Sequence, residues 1–319
     1  MRRGESGINA LIGIDKPVGM TSHDVVNCVR RAVGERRVGH AGTLDPAASG
    51  VLVVGIGQGT RLMGYLTAER KSYRATIAFG HETDTDDVEG LVTRVVPTPD
   101  RVGDHAYATD LLDSLVGEQD QVPPAYSAIS VDGRRSYDRA RAGEVVSLPA
   151  RRVEVFSACL LGIGSVDGVT RWDCVFTVSK GTYIRSLARD IGRATGGAAH
   201  LEALRRTSSG AVALSSCIAL QEDVRAATSP QEVLAHALDP LRALGVPIRR
   251  VDAAELVDVS CGRRIAAGVI VADGVERAPR CGEQVALVSD SRLYGIWECM
   301  GGQLSCTVNF PQGIMGVRG

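Results

Sequence analysis

Apolar and polar residues alternate along this chain in patterns that predict both strands and helices. Period-two alternation, typical of strands with one buried face, runs through SYRATIAFG at 72–80 and RWDCVFTVSKG at 171–181. Apolar residues recur at helical spacing in SHDVVNCVRRAVG at 22–34 and in TYIRSLARDIGRATGG at 182–197, and each stretch ends at glycine. Because strands and helices do not alternate strictly, a doubly wound parallel sheet is not indicated, and the pattern favours a mixed α+β domain.

The pattern changes at about residue 246. Short apolar runs separated by turn residues follow a helical stretch at 228–245, and they read VIVADG, EQVALVSD, SRLYGIWECMGG and QLSCTVNF. Such runs are typical of a small β-rich domain. The chain has 319 residues, a length that suits two domains, and we expect a first domain at 1–245 and a second at 246–319.

Composition narrows the class of protein. Hydrophobic residues make up 44% of the chain, which allows a sizeable core, yet no apolar run is long enough to cross a membrane. The N-terminal MRRGESGINALIGIDKPVG has neither a continuous apolar stretch nor a small-residue cleavage site, so we expect no signal peptide and a cytoplasmic protein. The 8 cysteines form no CxxC pair and have no histidine at zinc spacing, which favours reduced thiols and no metal site.

The net charge of −1 conceals a pattern of charged blocks. Residues 1–80 and residues 121–215 each carry a net charge of +5, residues 81–120 carry −9, and residues 216–319 carry −2. A near-neutral total therefore does not exclude a polyanion as partner, because two basic blocks flank one acidic segment. The alternative is that these charges simply form solvated faces.

A single carboxylate stands out in GHAGTLDPAASGVL at 39–52. Asp45 precedes Pro46, a pairing that is also typical of a helix N-cap followed by proline at the first helical position. Three features favour a nucleophile instead: the loop is rich in glycine, an apolar strand-like run follows it, and His40 lies in the same loop. The residues alone leave both interpretations open.

Arginine recurs every fourth residue in the predicted helix at 182–197. Arg185 falls in its first turn, where a cation opposes the helix dipole, so we expect a compensating partner such as a carboxylate. The alternative is a solvated basic face that Arg185 forms with Arg189 and Arg193.

Two further stretches carry residues suited to particular chemistry. Tyr73 is interleaved with Arg70, Lys71 and Arg74, which suits stacking on a base beside phosphates, although a core-facing strand residue is the alternative. DTDDV at 84–88 matches the DxDxV pattern of aspartyl-phosphate hydrolases, whose first aspartate must end an apolar buried strand. The preceding GHET cannot form such a strand, so we interpret this stretch as an acidic loop.

Together these motifs resemble those of the TruB-type tRNA pseudouridine(55) synthases. Besides the loop at 39–52, the resemblance rests on GINALIGIDKPVGMTSHDVV, KSYRATIAFGHETDTDDVEG, VPPAYSAISVDGRRSYDRAR, SKGTYIRSLARDIG and LEALRRTSSG, which follow in the family's order over about residues 7–220. It implies the pseudouridine synthase fold, an α+β fold with a mixed, largely antiparallel central sheet flanked by helices. The C-terminal region is similar in a general way to the small β-rich PUA-like domain of longer members.

The resemblance also implies a role for each matched residue. Asp45 is the nucleophile that breaks the N1–C1′ bond of a uridine in the TΨC loop of tRNA, before the base turns and rejoins through C5. Whether Asp45 attacks C1′ directly or acts through a glycal route stays open. Arg185 is the expected partner that holds this carboxylate ionised, and Tyr73 stacks on the target base. The residues implied in substrate binding are His40, Gly42, Thr43, Lys180, Tyr183 and Leu204.

The implied reaction keeps every atom on the nucleoside, so it calls for no cofactor and no metal. The expected partner is tRNA, recognised mainly through its shape and phosphates, by a monomer that needs neither an obligate protein partner nor a membrane. Two alternatives remain: a non-catalytic RNA-binding or tRNA-folding protein, and a synthase that works with a guide RNA.

Overall fold

The structure is a computed structural model of the 319-residue chain. It describes residues 6–67, 70–127, 129–131, 134–142, 144 and 148–318, with some side chains of 130–141 left out. These residues form two compact units. The first comprises Met1–Pro46, Gly50–Ala68 and Ser208–Gly319, and the second comprises Ala47–Ser49 and Glu69–Thr207. A helix both long and apolar enough to span a membrane does not occur among the described residues.

Both units are built around β-strands. In chain order the strands are β1 (Ala10–Lys16), β2 (Val38–Ala41), β3 (Ala48–Ile56), β4 (Lys71–Phe79), β5 (His81–Thr83), β6 (Val92–Val95), β7 (Gly117–Gln121), β8 (Ser130–Val131), β9 (Arg134–Arg135), β10 (Arg151–Val166), β11 (Val169–Val178), β12 (Ala199–Ser209), β13 (Val212–Ala213), β14 (Ile218–Ala219), β15 (Ile248–Arg250), β16 (Ile265–Ala266), β17 (Ile270–Ala272), β18 (Val275–Arg277), β19 (Gln284–Ser289), β20 (Arg292–Met300) and β21 (Gln303–Met315).

The α-helices lie between the strands in sequence. They are α1 (Ser22–Val33), α2 (Met63–Thr67), α3 (His105–Ser114), α4 (Ser136–Arg141), α5 (Ile184–Ala194), α6 (Pro230–Leu234), α7 (Pro240–Leu244) and α8 (Ala253–Ser260).

Strand β3 is the centre of the first sheet of the first unit. It pairs antiparallel with β1 and with β2, and β1 pairs parallel with β14. Helix α1 buries Val25 and Val29 in one apolar cluster with Ile12 of β1 and Leu52 of β3. The helix begins at a capping box and ends at Gly34, whose φ of 64° is left-handed, so the helix predicted at 22–34 is confirmed.

The C-terminal strands of the first unit form a second sheet. Its order is β16-β21-β20-β19-β15-β17-β18, in which β15 runs parallel to β19 and the remaining neighbours pair antiparallel. Phe310 and Ile314 share a buried cluster with Leu11 and Val51, so this sheet packs on the strands of the first one. The β-rich character of 246–319 is confirmed, although helix α8 was not expected there. The boundary at 245/246 and the PUA-like interpretation stay predictions.

Five strands of the second unit lie side by side in the order β12-β4-β11-β10-β7, while β5 pairs with β6 and β8 pairs with β9. The pairings of β4 with β11, β11 with β10 and β10 with β7 are antiparallel. The alternation in 72–80 and 171–181 predicts both strands correctly, since Tyr73, Ile77, Trp172 and Phe176 are all buried. The first sheet of the first unit contains one parallel pairing, between β1 and β14, whereas these three pairings of the second unit are antiparallel. The prediction of a mixed, largely antiparallel sheet is therefore confirmed.

Candidate active site

In the first unit, the sequence-predicted site residues lie on one hairpin. Strands β2 and β3 pair antiparallel, with His40 opposite Val54. The chain between them, residues 42–47, carries Gly42 at a left-handed φ of 78° and the half-buried side chain of Asp45, whereas Thr43 is exposed. A turn covers residues 46–47 and β3 follows at Ala48, so the interpretation of Asp45 as a helix cap is wrong.

Buried polar groups hold this loop on both sides of Asp45. The Ser22 hydroxyl, at the start of α1, donates to the Leu44 carbonyl at 3.0 Å and accepts from the Leu44 amide at 2.9 Å. On the other side, the Gly19 amide donates to the Pro46 carbonyl at 2.8 Å. The fully buried Lys16 ammonium donates to the carbonyls of Pro17, at 2.9 Å, and Met20, at 2.7 Å, and lies 3.5 Å from that of Pro46. The backbone that carries Asp45 is therefore fixed by its neighbours in both directions.

In the second unit, three predicted residues lie where β11 leads into α5. Lys180 is exposed, and Gly181 follows it at a left-handed φ of 82°. Tyr183 is the N-cap of α5, and its two backbone groups exchange hydrogen bonds with the Gln121 side chain, at 2.8 and 3.1 Å. Gln121 thus binds the backbone of the N-cap residue itself, at a helix start where the N-cap side chain makes no capping hydrogen bond. Gln121 therefore fixes the start of the helix just before Arg185.

Arg185 lies in the first turn of α5, and only 6% of its surface is exposed. Its guanidinium donates to the carbonyls of Thr85 and Tyr126, both at 3.0 Å. A carboxylate oxygen of Asp87 lies 3.6 Å from the same guanidinium. The prediction of a compensating partner is confirmed, and Asp87 is one such partner.

The other two arginines of the stripe are also paired. Arg189 is 8% exposed and donates to Asp86 at 2.8 Å, while Arg193 is half exposed and reaches Glu82 at 2.7 Å. The interpretation of this stripe as a solvated basic face is therefore wrong for its two buried members. Hydrogen bonding from Arg193 lowers the pKa of Glu82 below its usual value, and Arg94 acts in the same direction. Burial raises the pKa of Asp86 to about 6, although Arg189 favours its ionised form.

The remaining predicted residues come from strands. Tyr73 lies on β4 opposite Phe176 of β11, and only 7% of its surface is exposed. Leu204 lies half buried on β12, the neighbour of β4 in the sheet order. The structure thus groups His40, Gly42, Thr43 and Asp45 in one hairpin of the first unit, and groups Lys180, Tyr183 and Arg185 in the second.

Sequence reasoning missed the residues that fix these groups, which are Ser22, Gln121, Asp86 and Asp87. The sequence did carry a signal for the two aspartates. DTDDV is an acidic loop and α5 carries a row of arginines, but sequence reasoning did not match the carboxylates of the one with the guanidinium groups of the other. Asp84 accepts from the Leu91 amide at 2.8 Å, and the preceding strand β5 is short and polar, which agrees with the acidic-loop interpretation. Residues 128, 132–133 and 143 of the motif at 122–144 lie outside the described residues.

The described residues contain no group of three or more histidine, cysteine, aspartate or glutamate side chains arranged to hold a metal ion. The 8 cysteines are all described, and none is in a disulfide.

Comparison with known proteins identifies the family of this chain. A family model described as TruB family pseudouridylate synthase (N terminal domain) matches residues 30–184, and one described as tRNA pseudouridylate synthase B C-terminal domain matches residues 185–244. A tRNA pseudouridine synthase B of Mycobacterium sp. (strain KMS) is 46% identical over 88% of this chain and 92% of its own. A protein of the same name from Thermobifida fusca (strain YX) is 47% identical over 81% of this chain and 86% of its own.

The fold is also shared with a solved structure. A chain from the crystal structure of a Cbf5-Nop10-Gar1 complex is 24% identical, and the match covers 96% of this chain and 86% of that chain with a TM-score of 0.68. At this identity the likeness concerns the fold. The match to the family models and to curated relatives along most of its length shows that the chain belongs to the TruB family of pseudouridylate synthases.

Proposed function

We propose that this protein isomerises uridine to pseudouridine at position 55, in the TΨC loop of tRNA, with Asp45 as the nucleophile. Curated relatives at 46% and 47% identity are named tRNA pseudouridine synthase B, which supports tRNA as the substrate. The observation that carries the proposal is the fixed loop at 42–47, where Ser22 and Lys16 secure the backbone on both sides of a half-buried carboxylate. A nucleophile held in this way loses little freedom when it reacts.

The chemistry accounts for every atom of the nucleoside. The N1–C1′ bond breaks, the freed base turns, a C5–C1′ bond forms, the proton on C5 leaves to solvent and N1 gains one. Asp45 assists the breaking and re-forming of the bond at C1′, either by direct attack or through a glycal route. The target base must first leave its stack, which costs a few kcal/mol and less in a loop than in a duplex.

Arg185 and Tyr73 are assigned to the same reaction by the family motifs that they match. Burial and two carbonyl contacts support the role of Arg185, because they fix the direction of its guanidinium. Tyr73 is a buried aromatic side chain with a polar end, which suits stacking on a base. His40, Gly42, Thr43, Lys180, Tyr183 and Leu204 are assigned to binding the substrate.

The test is tritium release from tRNA labelled at uridine C5, with the purified protein alone. Wild type should release tritium, and a tRNA with cytidine at position 55 should release none. Asp45→Asn should abolish release, whereas Asp24→Asn, in the capping box of helix α1, should stay within about twofold of wild type. Undiminished release by Asp45→Asn would remove the nucleophile assignment.

The same experiment separates the alternatives. Tight tRNA binding with no release by wild type would favour a non-catalytic RNA-binding protein. Release only after a guide RNA or partner protein is added would favour a guided synthase, and would contradict the expectation that the chain needs no obligate partner.

A further inference from the structure

The arginine stripe of α5 meets one short acidic segment in reverse order. Arg185, Arg189 and Arg193 follow each other at intervals of four residues, about one turn of helix. Their carboxylate partners run backwards along the chain, from Asp87 at 3.6 Å to Asp86 at 2.8 Å and Glu82 at 2.7 Å. The helix and the segment at 82–87 therefore lie side by side and antiparallel, joined by three ion pairs.

Arg189, the arginine of the middle ion pair, contacts the same two chain segments as Arg185, one turn further along the helix. Arg185 donates to the carbonyls of Thr85 and Tyr126. Arg189 donates to Asp86, the residue after Thr85, and at 3.0 Å to the carbonyl of Val122. Both arginines thus link α5 to the same two segments, 85–86 and 122–126.

Asp86 holds an unusual backbone conformation at the centre of this arrangement. Its φ of 60° is left-handed. This conformation costs free energy in residues other than glycine, and it persists only where the surrounding structure holds the residue in place. Its carbonyl accepts from the Leu201 amide at 3.0 Å, and its carboxylate accepts from Arg189. The next residue is Asp87, whose carboxylate lies against Arg185, so the position of Asp87 depends on the conformation of Asp86.

We propose that Asp86 and Arg189 are positioning residues for Arg185: their ion pair fixes the turn at 85–87 and the segment at 122–126 against α5, and thereby fixes the guanidinium of Arg185. This inference rests on the proposed role of Arg185 in pseudouridine formation. Neither Asp86 nor Arg189 is assigned a contact with substrate. Their effect is therefore expected on the rate of the chemical step and not on the affinity for tRNA.

Asp86→Asn is the sharpest variant. Asparagine has the same shape and also tolerates a left-handed backbone, so the turn can form without the charge. Arg189 keeps a second carboxylate partner in the variant, since Asp190 accepts from it at 2.9 Å, and no buried charge is left alone. Arg189→Gln removes the other half of the pair.

Arg193→Gln is the matched control. Arg193 belongs to the same stripe and also pairs with a buried carboxylate, but it lies two turns from Arg185 and its side chain is 54% exposed. Its partner Glu82 keeps Arg94 at 2.7 Å in the variant.

The experiment measures the single-turnover rate of tritium release and the Kd for tRNA separately. Asp86→Asn and Arg189→Gln should each lower the rate by about tenfold to a hundredfold, as small displacements of a catalytic group do, with the Kd within about threefold of wild type. The double variant should be no slower than the slower single variant, because both changes break one link. Arg193→Gln should match wild type in both measurements.

A rate within about twofold of wild type for Asp86→Asn would overturn the inference, as would a parallel loss of rate and affinity or an equal loss in Arg193→Gln. Thermal unfolding of each variant identifies one that fails to fold, and the rate and Kd of the other single variant then decide by the same limits. Failure of the proposed function looks different, because wild type itself would then release no tritium.

Discussion

Ser22 holds Leu44 by both of its backbone groups. The hydroxyl donates to the Leu44 carbonyl at 3.0 Å and accepts from the Leu44 amide at 2.9 Å, and Ser22 itself is buried. Asp45 is the next residue, so the start of α1 sets the backbone from which the proposed nucleophile extends.

Ser22→Ala should therefore slow the reaction. Removal of the hydroxyl leaves two backbone groups of Leu44 without this partner, at a cost of about 1–3 kcal/mol in the free energy of unfolding. The freed loop should also place Asp45 less well, and the single-turnover rate should fall by about tenfold or more. Thr21→Ala is the control, because it removes the cap of the same helix at a cost of about 1 kcal/mol and leaves the Ser22 hydroxyl on Leu44. Equal rates for the two variants would show that Ser22 acts only on stability.

Arg185→Met should lower turnover more than affinity. Methionine keeps much of the length of the buried side chain but removes the charge and the donors to Thr85 and Tyr126. It also leaves the buried Asp87 carboxylate without this partner, so the free energy of unfolding should fall by about 3–5 kcal/mol. Equal losses in the single-turnover rate and in tRNA affinity would identify Arg185 as a phosphate contact instead.

As the pH rises, ionisation of Asp86 should increase the rate of the reaction and decrease the free energy of unfolding. Burial raises the pKa of its carboxyl from 3.8 to about 6, against the pull of Arg189, Arg185 and Arg193, while Asp190 adds to the rise. The folded protein then binds this proton more tightly than the unfolded chain does. The contribution of the carboxyl to the free energy of unfolding is fully present below pH 3.8 and is lost as the pH rises through about 6. The ion pair with Arg189 instead needs the ionised form and weakens as the pH falls.

The comparison with Asp86→Asn isolates this group from others that titrate. The ratio of the wild-type rate to the variant rate should approach one as the pH falls through about 6, because asparagine resembles the protonated carboxyl. The free energy of unfolding of wild type minus that of the variant, measured by chemical unfolding, should increase as the pH falls over the same range. A rate ratio that stays constant between about pH 5 and pH 8 would contradict this prediction.

Affinity for tRNA should fall steeply with salt. A variant that removes one phosphate-binding cation should make the slope of log K against log salt concentration shallower by about one unit. Lys180 is exposed in the loop before α5, so Lys180→Ala should show this change. Arg189→Gln should leave the slope unchanged, because its guanidinium is buried and engaged with Asp86 and Val122. A shallower slope in Arg189→Gln would place this arginine on the RNA surface.

The sequence predicts those elements whose signal lies within one turn or one strand. The alternation around Tyr73 and Trp172 identifies β4 and β11, and the glycine at 34 identifies the end of α1. Helix α8 was missed although its own signal was present, since Asp252 and Glu255 form a capping box. Apolar strands on both sides dominated the interpretation of that region.

The candidate site shows where local patterns fail. Asp-Pro fits a helix cap and a turn equally well, and only the pairing of β2 with β3 decides that Asp45 lies in a hairpin loop. Arg189 fitted a solvated face because its carboxylate partner, Asp86, comes about a hundred residues earlier in the chain. Such a partner is invisible to any pattern read along one helix.

The ion pairs between α5 and the segment at 82–87 also change the meaning of the charged blocks. Glu82, Asp86 and Asp87 are buried, so part of the acidic block acts as a set of internal counterions for the arginines of the following basic block. Arginines neutralised in this way add little to the release of salt ions when a polyanion binds. The cations that meet RNA must therefore be sought among side chains outside this pairing, such as Lys180, and the net charge of a block overstates their number.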